Sequence, residues 1–338
     1  MSDKRLTVIT EGGKVFGVGH IIRTLAIADI FVKKGYEVNF IINGDESIRE
    51  IFKYNDMKYT LLNWQENFEL LNENIADSSI ILLDSMQISD GEIKKLELLG
   101  KPIIYIDDEK RRNILDSGFV IDWTVLSDTK NYFNPPKKGV TYLLGSSFTP
   151  LREPFTKVLQ KSTKDDIHDI LVTFGGADVR DLTPKILKTL VDYFPDINKH
   201  IVIGASFNNI KSIEKYKDKN TYFIYNANAD DMVNLMKKCD ISIASGGQTL
   251  YELARVGVPT IAILLVDNAK DDTEGWDSVG IVKNIGWYDD ESLLSNLVIA
   301  LKKLKTKDVR EDMKIKSKAY ISPDGALRLV DTILGRLK

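Results

Sequence analysis

A glycine-rich turn that ends in a histidine is the part of this sequence best suited to chemistry. Gly12-Gly13 and Gly17-Val18-Gly19-His20 lie between a predicted strand, Leu6 to Thr10, and a predicted helix, Ile21 to Lys34. Glycine lets backbone N–H groups approach a phosphate or a sugar closely, and a helix N-terminus adds partial positive charge. The spacing is not the G-x-G-x-x-G dinucleotide pattern, because Ile22 occupies its third glycine position. We expect Gly17 and Gly19 to contact a ligand.

His20 is one of three histidines in the chain and stands where that helix begins. A neutral imidazole is a competent general base near pH 7 and can take a proton from water. The positive end of a helix disfavours imidazolium, which predicts that the base form is available. The alternative is a structural histidine that is capping or hydrogen-bonded, but a position directly after Gly-x-Gly favours catalysis. We interpret His168 and His200 as structural or solvated.

Three aspartates follow apolar strands. Asp84 comes after Ile80 to Leu83, and Asp107-Asp108 come after Ile103 to Ile106. An acid at such a place can either cap the next turn or face a ligand. Adjacent carboxylates need partners, so we expect one of the pair to hold His20 or a sugar hydroxyl. We therefore predict that Asp84 and Asp107 belong to the catalytic group and that Asp108 contacts substrate.

The second half of the chain contains two comparable turns, and each opens a helix. The predicted strand Ile170 to Phe174 leads into Gly175-Gly176-Ala177-Asp178, and the strand Ile241 to Ala244 leads into Ser245-Gly246-Gly247. Consecutive N–H groups at a helix start can hold a diphosphate. Glu252, one helical turn in, can accept both hydroxyls of a ribose; the alternative is a favourable first-turn charge. The predicted ligand contacts here are Gly175, Gly176, Ser245, Gly246, Gly247, Gln248, Thr249 and Glu252.

The elements that position these turns form two strand–helix series. A length of 338 residues, at roughly 150 per domain, predicts two domains. The strands are apolar throughout, which is typical of parallel sheets covered on both faces. We predict an α/β protein with two Rossmann-like domains, residues 1–150 and 151–338, and a ligand cleft between the carboxyl ends of their strands. The last helix, about Ala326 to Leu337, could pack on either domain.

Composition excludes several classes of function. The formal net charge of −3 provides no basic field for nucleic acid and no polybasic membrane patch. We interpret the short basic run Lys110-Arg111-Arg112 as a solvated face. No stretch approaches the ~18 apolar residues of a membrane helix, and the first apolar run is too short for a signal peptide. The single cysteine, Cys239, cannot form an internal disulfide, so we expect a cytoplasmic protein and leave its oligomeric state open.

Together these segments resemble the UDP-sugar hydrolases of the pseudaminic acid pathway, which act on UDP-2,4-diacetamido-2,4,6-trideoxy-β-L-altropyranose. The resemblance implies a glycosyltransferase-B fold, which is similar to that of the peptidoglycan glycosyltransferase that adds GlcNAc to a lipid-linked acceptor. The matching elements are the G-x-G-H-x-x-R signature from Gly17 to Arg23, then Ile106-Asp107-Asp108, the hinge Leu151 to Phe155, both later glycine turns, and Asp267-Asn268.

By this resemblance, His20 activates water for attack at the anomeric carbon, the amino sugar leaves with inversion, and the second domain holds UDP. Arg23 and Asn268 would then contact substrate, and no metal or other cofactor is implied. The alternatives are a glycosyltransferase on the same scaffold and a non-catalytic nucleotide-sugar-binding protein. The chain differs from that family at Thr10-Glu11-Gly12-Gly13, where an Arg-x-Asp element is usual, and at Asn268-Ala269, where an Asn-Gln pair is usual. Both differences concern the choice of sugar.

Overall fold

Runs of β-branched and other apolar residues form two parallel sheets, one in each half of the chain. The structure, a computed structural model, describes residues 4–53, 57–127, 136–160 and 162–337. The chain divides into two units: unit 1 is Met1–Arg152 together with Asp324–Lys338, and unit 2 is Glu153–Pro323. Two α/β domains with parallel sheets were predicted, and this fold class is confirmed.

Within the described residues, unit 1 contains a seven-stranded sheet in the order β3-β2-β1-β4-β5-β6-β7. Strand order reverses direction between β1 and β4, which is the place where ligands of open α/β sheets usually bind. In register, Thr10 of β1 pairs with Asp84, the last residue of β4. The strands are β1 Arg5–Gly12, β2 Glu37–Gly44, β3 Lys58–Leu61, β4 Ile80–Asp84, β5 Ile103–Ile106, β6 Gly118–Asp122 and β7 Val140–Leu144.

Successive residues of a strand point to opposite faces of the sheet, and both faces are apolar here. Helices therefore pack on both faces. Ile9, Leu83 and Tyr105 share one hydrophobic cluster with residues of α3 and α4. Helix α1 packs against β1 and β2. The helices in this part of the chain are α1 Gly19–Lys33, α2 Arg49–Phe52, α3 Phe68–Ile75 and α4 Asp90–Glu97, with 3-10 turns at Glu46–Ile48 and Ser146–Phe148.

Unit 2 contains, among its described residues, a six-stranded parallel sheet in the order β10-β9-β8-β11-β12-β13. Its strands are β8 Asp169–Thr173, β9 Asn198–Ile203, β10 Thr221–Tyr225, β11 Ile241–Ser245, β12 Thr260–Leu264 and β13 Val282–Trp287. Its helices are α5 Glu153–Thr156, α6 Thr183–Tyr193, α7 Ile210–Glu214, α8 Ala229–Lys238, α9 Gln248–Val256, α10 Lys270–Ser278, α11 Leu293–Leu304 and α12 Lys307–Tyr320, with a 3-10 turn at Asp267–Ala269.

The last helix, α13 (Gly325–Arg336), returns to unit 1. It packs against α1 and the Ser146–Phe148 turn. Gly325 makes this approach possible, because a Cβ there would lie 2.3 Å from the carbonyl oxygen of Thr149. Lys34 and Asp331 form an ion pair between the two helices. The sequence pattern had left the packing partner of this helix open.

Three strands were absent from the sequence prediction: β3, β6 and β13. The strand β3 lies at the sheet edge, and its four residues alternate between exposed and partly buried. No apolar run therefore marks it in the sequence. In β13 the ladder with β12 shifts register between Ala262 and Leu264, and the strand sequence mixes polar and apolar residues. None of the helices in the described ranges combines the length and the apolar character needed to cross a bilayer.

Shortening a buried leucine of α13 tests its packing on unit 1. Leu329 is 0% exposed and Leu327 on the same helix is 40% exposed. We expect Leu329→Ala to lower the free energy of unfolding by about 2–5 kcal/mol, because it leaves a cavity, and Leu327→Ala to change it by less than about 0.5 kcal/mol. Urea unfolding followed by tryptophan fluorescence measures both. Equal losses in the two variants would contradict this packing.

Candidate active site

The first turn of α1 and the carboxyl ends of β4 and β5 bring the candidate catalytic side chains of unit 1 together. Helix α1 begins at Gly19, so His20 and Arg23 lie three residues apart on one helical face. Asp84 ends β4, beside β1, and Asp108 lies just beyond β5. Strand order, rather than proximity in sequence, therefore brings Asp84 and Asp108 to α1.

Arg23 is clamped between two carboxylates. Its Nε and Nη2 donate to Oδ2 and Oδ1 of Asp84 at 2.7 and 2.6 Å, and its Nη1 donates to Oδ2 of Asp108 at 2.7 Å. The Arg23 side chain is 12% exposed, and its guanidinium carbon lies 5.2 Å from the centre of the Trp123 ring. Arg23 was predicted to contact substrate; in the structure its donors hold the two aspartates in place.

His20 forms the second contact to Asp84, with 2.9 Å between Nδ1 and Oδ1. Burial acts to raise the pKa of Asp84, but the charges of Arg23 and His20 hold it well below its usual range, so the carboxylate is ionised. An ionised carboxylate only accepts hydrogen bonds, so His20 Nδ1 is the donor. Arg23 Nη2 is 3.2 Å from the same nitrogen but has its closer acceptor in Asp84. Nε2 of the neutral imidazole is left as the proton acceptor.

The pKa of His20 results from opposing effects. Burial lowers it, the Asp84 carboxylate raises it, and the Arg23 charge lowers it again, with the net pKa above the usual 6.5. The net shift is opposite in sign to the one expected from the helix start, because the carboxylates of Asp84 and Glu109 together outweigh burial and the Arg23 charge. His20 is a stronger base than an isolated histidine, and Asp84 stabilises the imidazolium that proton transfer would form.

The adjacent acids Asp107 and Asp108 have different partners. Asp108 accepts from Arg23, whereas Asp107 accepts the backbone N–H of Arg112 at 2.6 Å. Burial raises the pKa of Asp107 to about 6, although that hydrogen bond opposes the shift. Hydrogen bonds thus bring Asp84 and Asp108 to the His20–Arg23 pair, whereas the hydrogen bond of Asp107 to Arg112 lies within the loop. We therefore assign Asp107 to the support of the loop that follows β5.

Sequence analysis missed the roles of three charged residues in the loop after β5. Burial and the neighbouring Asp108 raise the pKa of Glu109 to about 7, and Glu109 interacts electrostatically with His20. Arg111 donates from Nε to Asp122 at 2.9 Å. Arg112 donates from Nη1 to the Ile88 carbonyl at 2.6 Å. Interpreting the 110–112 run as a solvated face was therefore wrong for its two arginines. The available signal was that they follow the strand-end acids Asp107 and Asp108 within five residues.

The glycine turn of unit 1 leaves room beside its backbone. A Cβ added at Gly17 or Gly19 would meet no heavy atom of the described residues within 4 Å, and Gly17 has a φ of +73°. The turn is closed by a hydrogen bond from the Gly13 amide to the Gly17 carbonyl at 2.8 Å. The backbone is thus accessible where the sequence predicts ligand contact.

The two glycine turns of unit 2 lie at the carboxyl ends of neighbouring strands β8 and β11. Gly175 (φ +79°) and Gly247 (φ +104°) also have open space at the Cβ position within the described residues. Gly246 differs, because a Cβ there would lie 2.5 Å from Thr273 Oγ1 and 2.8 Å from Ala269 Cβ. Its small size is thus required for packing within unit 2.

The other predicted ligand contacts of unit 2 vary in exposure. Ser245 ends β11, and Gln248 and Thr249 open α9, all three partly buried. Glu252 is 2% exposed, so its carboxylate presents little surface in this conformation. Gly176 accepts at its carbonyl from Ser206, and Asn268 is exposed in the Asp267–Ala269 turn. The described residues contain no His, Cys, Asp or Glu group arranged to hold a metal ion.

Arg180 is a cation near these turns that sequence analysis missed. It is exposed, its guanidinium carbon lies 4.5 Å from the centre of the Tyr288 ring, and its Nε donates to the Leu265 carbonyl at 3.2 Å. These two contacts orient the guanidinium beside the carboxyl end of β12, where an anion could be bound.

Comparison with known proteins gives related sequences. Residues 170–327 match the glycosyltransferase family 28 C-terminal domain. The chain is 29% identical over 274 residues to the uncharacterized protein MJ1062 of Methanocaldococcus jannaschii, a match covering 77% of this chain and 55% of that protein. It is 25% identical to the spore coat polysaccharide biosynthesis protein SpsG of Bacillus subtilis, covering 82% and 83% of the two chains.

A third relative is the pseudaminic acid cytidylyltransferase and UDP-2,4-diacetamido-2,4,6-trideoxy-β-L-altropyranose hydrolase of Helicobacter pylori. It is 24% identical, and the match covers 79% of this chain and 46% of that protein. The chain thus spans about half the length of the Methanocaldococcus and Helicobacter proteins.

Solved structures agree on the fold. A putative UDP-N-acetylglucosamine 2-epimerase from Listeria monocytogenes superposes with a TM-score of 0.72 at 15% identity, covering 100% of this chain and 97% of that one. MurG from Acinetobacter baumannii superposes with a TM-score of 0.69 at 15% identity, covering 98% and 99%. The protein therefore has two Rossmann-like domains of the glycosyltransferase-B type.

Replacing Asp84 tests the electrostatic origin of the His20 pKa. Because the Asp84 carboxylate raises that pKa, whereas burial and Arg23 lower it, we expect Asp84→Asn to lower the pKa of His20 relative to wild type. NMR titration of ¹³C-labelled histidine measures the shift, and His20→Asn assigns the resonance. Asp77→Asn, at an exposed aspartate paired with Arg5, serves as the control. An unchanged His20 pKa in Asp84→Asn would show that Asp84 does not control this base.

Proposed function

We propose that this protein is an enzyme acting on nucleotide-linked sugars, and that it hydrolyses a UDP-linked amino sugar with His20 as the general base. The main support is the buried pair in which ionised Asp84 holds His20 Nδ1–H at 2.9 Å. This contact leaves the imidazole Nε2 to accept a proton. A hydrolase activity on a UDP-linked diacetamido sugar is part of the name of the Helicobacter relative.

The proposed reaction has one proton transfer and one displacement at carbon. Water gives a proton to His20 Nε2 while its oxygen bonds to the anomeric carbon on the face opposite the diphosphate. The bond between that carbon and the diphosphate oxygen breaks, and its electron pair leaves with UDP. Asp84 stabilises the resulting imidazolium, and the sugar is released with inversion. The proton on His20 then passes to solvent.

Unit 2 is proposed to hold the nucleotide. The backbone at Gly247 opens α9, so its N–H groups and the helix dipole favour a phosphate there. Gly175 provides a second open backbone at the end of the adjacent strand. Arg180, oriented by Tyr288 and the Leu265 carbonyl, supplies a cation that would stabilise the departing diphosphate.

Transfer of the sugar to an acceptor is the second candidate function. It is favoured by the match of residues 170–327 to the glycosyltransferase family 28 C-terminal domain. The same His20–Asp84 pair would then remove a proton from an acceptor hydroxyl in place of water. The two functions differ in whether product forms without an acceptor.

Incubation with a panel of UDP-linked amino sugars, without acceptor, in ¹⁸O-labelled water tests the proposal. We expect UDP release with the label in the anomeric hydroxyl of the sugar, read before ring opening exchanges it. His20→Asn should fold normally and lose roughly 10²-fold or more in turnover, because a general base is removed. His168→Asn, at a histidine outside this pair, is the control.

Three results would contradict the hydrolase. Label in UDP would mean that the O–P bond breaks, which does not fit the role given to His20. Product formation that needs a sugar or lipid acceptor would favour the transferase. Near wild-type turnover in His20→Asn would remove His20 from the mechanism.

Nucleotide affinity should depend on Arg180. Arg180→Gln removes a charge-assisted contact, so we expect UDP binding to weaken by roughly 10–100-fold. Glu252→Gln tests the predicted ribose contact in the same way. Arg49→Gln, at a mostly exposed arginine of unit 1, is the control and should leave affinity unchanged. Isothermal titration calorimetry with UDP measures all three. Full UDP affinity in Arg180→Gln would exclude Arg180 from the nucleotide site.

A further inference from the structure

Glu11 is a buried acid with no part in the proposed reaction. It lies near the end of β1 and is 1% exposed. Its Oε2 accepts the Ser85 hydroxyl at 2.5 Å, and its Oε1 accepts the Met86 amide N–H at 2.9 Å. A buried carboxylate is costly unless it is well hydrogen-bonded, so its position here needs an explanation.

The contacts of Glu11 begin where the β1–β4 ladder ends. Thr10 and Asp84 are the last residue pair in register between these strands. Glu11 then bonds to Ser85 and Met86, the two residues that follow Asp84. Ser85 Oγ in turn accepts the amides of Gln87 and Ile88 at 3.0 and 3.1 Å. The chain leaving Asp84 is thus organised around one carboxylate.

The loop after β5 is tied to the same turn. Lys110 Nζ donates to the Met86 carbonyl at 2.5 Å, and Arg112 Nη1 donates to the Ile88 carbonyl at 2.6 Å. That loop includes Asp108, the second carboxylate of the Arg23 clamp. Asp84 directly precedes the 85–88 turn, and Asp108 lies in the loop that donates to the Met86 and Ile88 carbonyls. The turn therefore links the two acids that hold Arg23.

Glutamine cannot replace the carboxylate at position 11. Both Glu11 oxygens accept, one from a backbone N–H and one from a hydroxyl. A glutamine oxygen could accept from Met86, but its NH₂ would then face Ser85 Oγ, which already accepts two amides. The opposite rotamer would place the NH₂ against the Met86 N–H. A carboxylate is therefore the group that satisfies both donors.

We propose that Glu11 is a positioning residue that acts through Ser85 and Met86 to hold Asp84 against His20 and Arg23. Its effect on turnover depends on the function proposed above, whereas its effect on Asp84 does not. Four charged groups bear on His20 or its partners: Asp84 from β4, Arg23 from α1, and Glu109 and Asp108 from the loop after β5. Release of Asp84 removes a carboxylate that raises the His20 pKa, so that pKa should fall.

NMR titration of ¹³C-labelled histidine in Glu11→Gln tests the proposal. We expect the His20 pKa to fall, as predicted above for Asp84→Asn. In Glu11→Asp, which keeps the carboxylate, the pKa should lie closer to the wild-type value. Turnover of the UDP-linked sugar should fall about tenfold with little change in KM, because the base is misplaced while the nucleotide contacts remain. Glu50→Gln, at an exposed glutamate paired with Lys53, is the matched control.

Each outcome decides the proposal. A folded Glu11→Gln protein with an unchanged His20 pKa would overturn it. If that variant does not fold, Ser85→Ala removes one of the two donors and should produce a smaller fall of the same sign; no shift there would also overturn it. If wild type releases no UDP from any sugar, the proposed function fails, but the His20 titration still shows whether Glu11 positions Asp84.

Discussion

The buried guanidinium of Arg23 is the constraint on which the rest of this site depends. A guanidinium can only donate hydrogen bonds. That of Arg23 donates to two carboxylates that follow different strands, Asp84 and Asp108. A charge buried to this degree is tolerated only when it is paired, and removing one partner leaves the other uncompensated. The same Asp84 also bonds His20, so the clamp that neutralises Arg23 fixes the tautomer of the candidate base.

Acidic groups gather where β4 and β5 end, and their hydrogen-bond partners differ. Asp108 bonds Arg23 on α1, while Asp107 bonds the loop backbone at Arg112. Burial raises the pKa of Asp107 to about 6, and burial with the nearby Asp108 raises that of Glu109 to about 7. Asp84 keeps its charge because it is paired with Arg23. The pKa values of Asp84, Asp107 and Glu109 therefore differ because each acid has different neighbours.

The neighbouring glycines Gly246 and Gly247 are required for different physical reasons. Gly247 has a left-handed backbone and open space, which suits close approach of a ligand to α9. Its neighbour Gly246 is small because Thr273 and Ala269 pack against it. Ala269 is also the position at which the UDP-sugar hydrolases that this sequence resembles have glutamine. The side chain at this position therefore packs against Gly246. A Gly246 variant would report the packing of unit 2 before it reported ligand binding.

The sequence by itself determined the α/β class, most strands, the glycine turns and the place of His20 at a helix start. These features follow from hydrophobic periodicity and turn chemistry within about ten residues. The tertiary structure alone decided that Asp84, not Asp107, meets His20, that Arg23 is held by carboxylates, that Arg111 and Arg112 are engaged, and that α13 returns to unit 1. The physical reason is topology: β4 lies beside β1 although about 70 residues separate them, and a shift of one residue moves a side chain to the other face of the sheet.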